Sequence, residues 1–166
     1  MSRAELKRIF LRDVLTGAAR SGLIPEMTVG AVMTPQPFMV SADCPAAELV
    51  LHFHEKQFRH FLVSDRRRLV GIISDRDVIP YFGEYVPQKS DDLKNVTAAD
   101  LMSTDLITVE PTTLLAEAIQ LMVNAGINSL PVVDGDATVG ILTSTDVFLS
   151  LEQLLFLALP AQEAAN

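Results

Sequence analysis

Apolar positions along the chain follow two spacings, one suited to strands and one to helices, and the order of the two recurs. Phe61-Leu62-Val63 and Leu69-Val70-Gly71-Ile72-Ile73 are short β-like runs on either side of a polar turn, Asp65-Arg66-Arg67-Arg68. Leu130-Pro131-Val132-Val133 and Thr138-Val139-Gly140-Ile141-Leu142 flank Asp134-Gly135-Asp136 in the same way. Ahead of the first pair, Leu49, Val50 and Phe53 form the apolar face of a helix reaching Gln57, with Asp43 placed to cap it and Pro45 in its first turn. Ahead of the second pair, a helix is expected from Leu114 to Asn124. Short strands are expected before these helices, at Phe38 to Val40 and at Leu106 to Val109. Helical turns come earlier still, at Ala98 to Met102 and at Thr28 to Met33, with Thr28 as N-cap and Pro35 and Pro37 as stops. After the strand pairs, Ser74 or Asp75 caps one helix, and a closing helix runs from near Ser144 to Leu157.

The two series are one pattern written twice at an offset of 69, without a gap, from Met33–Val78 to Met102–Val147. Identities include Met33/Met102, Val40/Val109, Glu48/Glu117, Val63/Val132, Asp65/Asp134, Gly71/Gly140 and Asp77/Asp146. This is an internal duplication. Each unit has the order β-α-β-β-α and is too short to build a comfortable core alone. The expected fold is therefore α+β, with two units packed through their sheets, pseudo-twofold symmetry and two related clefts between them. The expected division is 1–27 amphipathic helix and linker, 28–84 first unit, 85–97 polar connection, 98–157 second unit with its closing helix, and 158–166 tail. The first helix, with Leu6, Ile9, Phe10 and Val14 on one side, is expected to pack on the body or on a second subunit rather than on a membrane.

Charge distinguishes the two copies. All 13 Lys and Arg residues occur by Lys94, beside 12 acids, whereas from Asn95 onward there are nine acids and neither Lys nor Arg. An acidic second half repels a polyphosphate backbone, so nucleic acid is not an expected partner, and a small anion should prefer the first half. No apolar run is long enough to span a bilayer and Met1-Ser2-Arg3-Ala4-Glu5 is not followed by a signal region, so a cytoplasmic location is expected. The single cysteine, Cys44, offers neither a disulfide framework nor a metal cluster, and His52 and His54 fall on different faces of their helix. No nucleophile-base-orienter set and no phosphate-loop Lys is visible, so binding rather than catalysis is expected.

The doubled marks, Val32-Met33-Thr34 with Leu101-Met102-Ser103, then Gly71 with Gly140, then Ser74-to-Asp77 with Thr143-to-Asp146, resemble a tandem pair of cystathionine-β-synthase-type (CBS) domains, a Bateman module. The resemblance covers Thr28 to Leu154, and no attached catalytic or transport domain is expected. It implies a regulatory module that binds AMP, ADP, ATP or S-adenosylmethionine, with or without a divalent cation, and carries no resident cofactor. It also implies a disc-like homodimer and a regulated protein supplied by another chain. By the same resemblance Ser74 contacts phosphate and Asp77 ribose in one cleft, with Thr143 and Asp146 doing so in the other. Pro37, Phe38, Met39 and Val40, and Leu106, Ile107 and Thr108, would flank the base, while Arg59-His60 and Asn128-Ser129 hold the positions that often bind phosphate.

Elementary chemistry agrees with these roles. Residues three apart at a helix start share a face, the free N–H groups there favour a phosphate, and a carboxylate accepts from ribose hydroxyls. Arg59, His60 and Arg76 equip the first cleft for phosphate; Asn128, Ser129 and Thr145 replace them in the second. One dominant phosphate site, in the first-repeat cleft beside Ser74 and Asp77, is the expectation. The competing expectation is an interaction module whose clefts stay empty and whose Leu149, Leu151, Leu154, Leu155 and Phe156 dock another subunit.

Overall fold

The computed structural model describes residues 27–79 and 95–158. The expected N-terminal helix, most of the connection and the tail lie outside them. The first repeat contains α1 (Val29–Val32), β1 (Thr34–Pro35), β2 (Met39–Ser41), α2 (Ala46–Lys56), β3 (His60–Asp65), β4 (Arg68–Ser74) and α3 (Asp75–Val78). The second contains α4 (Ala98–Leu101), α5 (Leu115–Ala125), β5 (Ser129–Asp134), β6 (Ala137–Thr143) and α6 (Ser144–Ala158).

Each aliphatic pair folds back on itself as an antiparallel hairpin. β3 runs against β4 and β5 against β6, and both ladders slip at the same place, between Val63 and Ser64 and between Val132 and Val133. Arg66 and Arg67 turn the first hairpin with φ of 48° and 69°, a left-handed pair that matches the strand twist. Gly135 takes the position of Arg66 in the second, with φ of 57°.

The repeats are joined by an exchange of edges. β2 lies parallel to β3, giving a sheet of order β2-β3-β4, but β1 leaves its own repeat and pairs antiparallel with β6, giving β1-β6-β5. The exchange is reciprocal: Ile72 of β4 bridges Ser103, with backbone N–H groups donating in both directions at 3.1 and 2.9 Å. Thr28 bridges Leu114 and Pro45 bridges Thr97, another pair related by the duplication. The same crossing explains the repeated Gly and Met. A Cβ on Gly71 would collide with the Met102 side chain, and one on Gly140 with the Met33 sulfur, so each methionine fills the space its partner glycine leaves.

The apolar interior follows the exchange. One cluster gathers Val40, Leu49, Phe61, Val63, Ile73 and Val78 around Ala98 of the second repeat; the other gathers Leu115, Ala118, Met122, Leu130, Val132 and Leu142 around Val29 of the first. Neither repeat completes its core without a residue from the other. Burial pushes the Cys44 thiol up from its ordinary pKa, with Glu48 and Asp43 adding to the effect.

Three local expectations are corrected. Leu106 to Val109 is not a strand; only Val109 bridges Val132. Pro131 faces this segment where Leu62 faces β2, and proline has no N–H with which to extend the ladder. Asp43 does not cap α2, whose N-cap is Pro45 without a side-chain bond. Thr28 precedes α1 but its side chain makes no cap bond either. Among the described residues no helix is long and apolar enough to cross a membrane.

Candidate functional site

The α2 helix ends where Gln57 enters the left-handed region, at φ 56°, and this turn aims Phe58, Arg59 and His60 at the seam between the repeats. There they border a cavity of about 730 Å³. Its walls also carry Thr34, Pro37, Phe38 and Met39 from the crossing segment, Lys56 from the end of α2, and Ser74, Asp75 and Arg76 from the start of α3. From the second repeat come Asn128, Thr143, Ser144, Thr145 and Asp146. A smaller cavity, about 340 Å³, is lined by His60, Ile72, Ser74, Asp77, Ser103, Asp105, Leu106, Ile107, Ile127, Asn128, Ser129 and Pro131.

This grouping corrects the expected one. Arg59 and Arg76 share their cavity with Thr143 and Asp146, whereas Asp77 faces the other. The cause is the edge exchange: β1 carries the segment leading to Pro37, Phe38 and Met39 across to β6, and Thr34 Oγ1 donates to Asp146 Oδ1 at 3.2 Å. Ser74 and His60 border both cavities, as does Asn128. Two expected residues line neither. Val40 alternates inward on β2 and is buried in the first core cluster, and Thr108 is exposed outside both cavities.

The paired hydroxyls and carboxylates are also helix caps. Ser74 donates both its N–H and its Oγ–H to Asp77 Oδ2 at 2.7 Å, and Thr143 does the same to Asp146 Oδ2 at 2.7 and 2.6 Å. Thr97 and Asp100 repeat the arrangement at the start of α4, where the Thr97 backbone and side-chain donors hold the exposed Asp100 carboxyl below its ordinary pKa. The motif alone therefore marks a helix start. What singles out Thr143 and Asp146 is the company they keep.

That company is cationic and aromatic. Among the described residues, the larger cavity has three cations, Lys56, Arg59 and Arg76, against two carboxylates, Asp75 and Asp146. Among the same residues the smaller has two carboxylates, Asp77 and Asp105, and neither Lys nor Arg. Arg59 Nε donates to Asp75 Oδ2 at 3.3 Å, a solvent-screened contact that leaves the rest of the guanidinium fork for an anion. Lys56 Nζ lies 4.6 Å above the Phe38 ring, which meets Phe61 edge-on at 5.4 Å. Burial holds His60 below its ordinary pKa; Asp75 opposes this, Arg59 adds to it, and Asp77 and Arg76 pull in opposite directions more weakly. The imidazole is thus a neutral hydrogen-bonding group near pH 7.

Sequence reasoning missed Lys56, Phe58, Asp75 and Thr34 as wall residues. Lys56 and Phe58 flank a left-handed Gln57 that no propensity rule announces, and Thr34 arrives only through the exchange.

Comparison with known proteins agrees with this architecture. The CBS domain sequence pattern matches twice, over residues 29–84 and 98–152. The chain belongs to the CBS-domain family. It is 31% identical over 120 residues to inosine-5′-monophosphate dehydrogenase of Nitrosopumilus maritimus, a match covering 71% of this chain and 23% of that enzyme. The chain thus spans about a quarter of that relative's length. Among solved structures, CBSX2 in complex with AMP superposes with a TM-score of 0.66 at 29% identity, covering 77% of this chain and 98% of the other. A CBS domain pair solved with 5′-methylthioadenosine and S-adenosyl-L-methionine superposes equally well, at 0.66, with 22% identity and coverage of 78% and 98%.

Proposed function

We propose that this protein is a regulatory module that binds an adenine nucleotide in the larger cavity, at the crossing of the two repeats. The carrying observation is that Lys56, Arg59 and Arg76 face the Thr143–Asp146 pair across one 730 Å³ space walled by Phe38 and Phe58. A base packs against the Pro37–Met39 segment, Asp146 accepts from ribose hydroxyls, and the guanidinium groups receive phosphate. Ser74 and His60 complete the phosphate side with neutral hydrogen bonds. The AMP complex of CBSX2, at 29% identity, supports this choice of ligand. The smaller cavity, with Asp77, Ser129, Leu106 and Ile107 on its walls and no cation among the described residues, suits an uncharged or positively charged adenosyl compound instead.

The module acts by binding, with repeats spanning 28–84 and 98–157, in the cytoplasm, and reports to another protein. The exposed Phe148, Leu149, Leu151 and Leu155 on α6 favour pairing of two copies or docking of that target, a role compatible with an occupied cavity. A thermal-shift series with AMP, ADP, ATP and S-adenosylmethionine tests the binding claim, since a saturable ligand stabilises by mass action. Arg59→Asn with Arg76→Thr installs the residues of the second repeat and is expected to weaken AMP at least about tenfold by removing charge-assisted bonds. The absence of any saturable shift in the wild type would leave α6-mediated docking as the function.

A further inference from the structure

Outside both cavities, the start and one face of α2 bring together three donors of different chemistry. A Cys44 sulfur, a Glu48 carboxylate oxygen and a His52 ring nitrogen all lie within 4.8 Å of one another. Glu48 and His52, four residues apart, share one face of α2, and Cys44 stands just ahead of the N-cap, Pro45. His52 Nε2 stands 3.4 Å from Glu48 Oε1. That is long for a hydrogen bond but matches the edge of a tetrahedral ion, where bonds of about 2.0–2.1 Å separate nitrogen and oxygen by about 3.3–3.4 Å. The other ring nitrogen, Nδ1, is buried without a hydrogen-bond partner among the described residues.

The duplication supplies an internal control. At the corresponding positions the second repeat has Thr113, Glu117 and Leu121. The glutamate belongs to the shared fold, whereas the thiol and the imidazole occur only in the copy where they meet. We propose that Cys44, Glu48 and His52 bind a zinc-class divalent transition metal. Sulfur, nitrogen and a single carboxylate oxygen form a borderline donor set that suits Zn²⁺ or Co²⁺ and is poor for Mg²⁺ or Ca²⁺. Cys44 is buried and Glu48 exposed, so the ion has protein on one side and an entry path with room for water on the other. The thiol loses its proton to solvent as the sulfur–metal bond forms, with no change of oxidation state. His52 also meets Phe38 edge-on at 5.4 Å, which sets the ion one ring away from the larger cavity.

The test uses the full chain, reduced and stripped with a chelator, then titrated with Co²⁺ and back-titrated with Zn²⁺. The expected result is one ion per chain with a thiolate-to-cobalt charge-transfer band that Zn²⁺ abolishes and Mg²⁺ does not. Cys44→Thr should remove the band, and His52→Leu should weaken Zn²⁺ at least about tenfold. Both place the second repeat's own residue, which favours retained folding, and melting of the metal-free variants checks this. Glu48→Gln, which keeps the side-chain shape, is expected to weaken Zn²⁺ as well, while His54→Ala leaves it unchanged. No saturable binding by the wild type, a full band in Cys44→Thr, or unchanged Zn²⁺ affinity in both His52→Leu and Glu48→Gln would overturn the proposal.

Discussion

Replacing Gly71 by alanine tests the edge exchange where it is tightest. A Cβ there would collide with Met102 Sδ and lie 2.7 Å from its Cγ and 2.8 Å from its Cβ, so the obstacle includes the root of the side chain as well as its tip. At Gly140 only the Met33 sulfur is that close; Met33 Cγ and the Thr34 carbonyl stand at 3.1 Å. Methionine bends easily at its end and hardly at its Cβ, so Gly140→Ala can be absorbed by a new rotamer and Gly71→Ala cannot. Overpacking costs about 1–3 kcal/mol, and the stiffer unfolded chain returns about 0.4–1 kcal/mol. The net expectation is a loss of about 1–2 kcal/mol for Gly71→Ala and under about 1 kcal/mol for Gly140→Ala. Urea unfolding of both variants measures this. Trimming Met102→Ala in the Gly71→Ala background should recover part of the loss, giving a coupling on the order of 1 kcal/mol in a double-mutant cycle. Equal costs at the two glycines, or additive behaviour of Gly71 and Met102, would refute the interlock.

Two further outcomes follow from the same structure. The folded pKa of His60 is lowered below 6.5, chiefly by burial, so the unfolded chain binds the proton more readily. Its contribution is complete above the unfolded pKa and declines as pH falls through that value towards the folded one. Urea midpoints between pH 7.5 and 5 should therefore drop in the wild type and drop less in His60→Ser; identical slopes would contradict the assignment. Arg66 holds a left-handed φ of 48° where the second hairpin has Gly135 at 57°. Arg66→Gly should raise stability by up to about 1 kcal/mol, the balance of relieved left-handed strain against glycine's chain entropy. A lowered melting temperature would show that the arginine side chain matters more than its backbone.

The order of elements was legible because the chain states it twice, and hairpins around Asp65–Arg68 and Asp134–Asp136 follow from alternation and turn chemistry alone. The exchange was not. Thr34-Pro35 can pair with either Val-Gly-Ile strand, since Val70-Gly71-Ile72 and Val139-Gly140-Ile141 are the same tripeptide. That ambiguity decides which carboxylate meets which cations, so most of the named wall residues could be picked out singly while their partition between cavities could not. The complementary Met33–Gly140 and Met102–Gly71 contacts record the exchange, and they are visible only once the sheets are built. The segment Leu106–Val109 illustrates a second limit. Its β-like composition matched that of its twin, but the decisive residue, Pro131, lies on the strand opposite.

The central claim is that one cavity, built from the first repeat's cations and the second repeat's Thr143–Asp146 pair, holds the nucleotide. Calorimetry with AMP on the wild type, Asp146→Ala and Asp77→Ala tests it most directly. Both substitutions remove a capping carboxylate, and melting of each variant without ligand checks that it folds. Loss of AMP binding in Asp146→Ala with near-wild-type affinity in Asp77→Ala is the predicted result. The reverse, with binding lost only in Asp77→Ala, would contradict the claim.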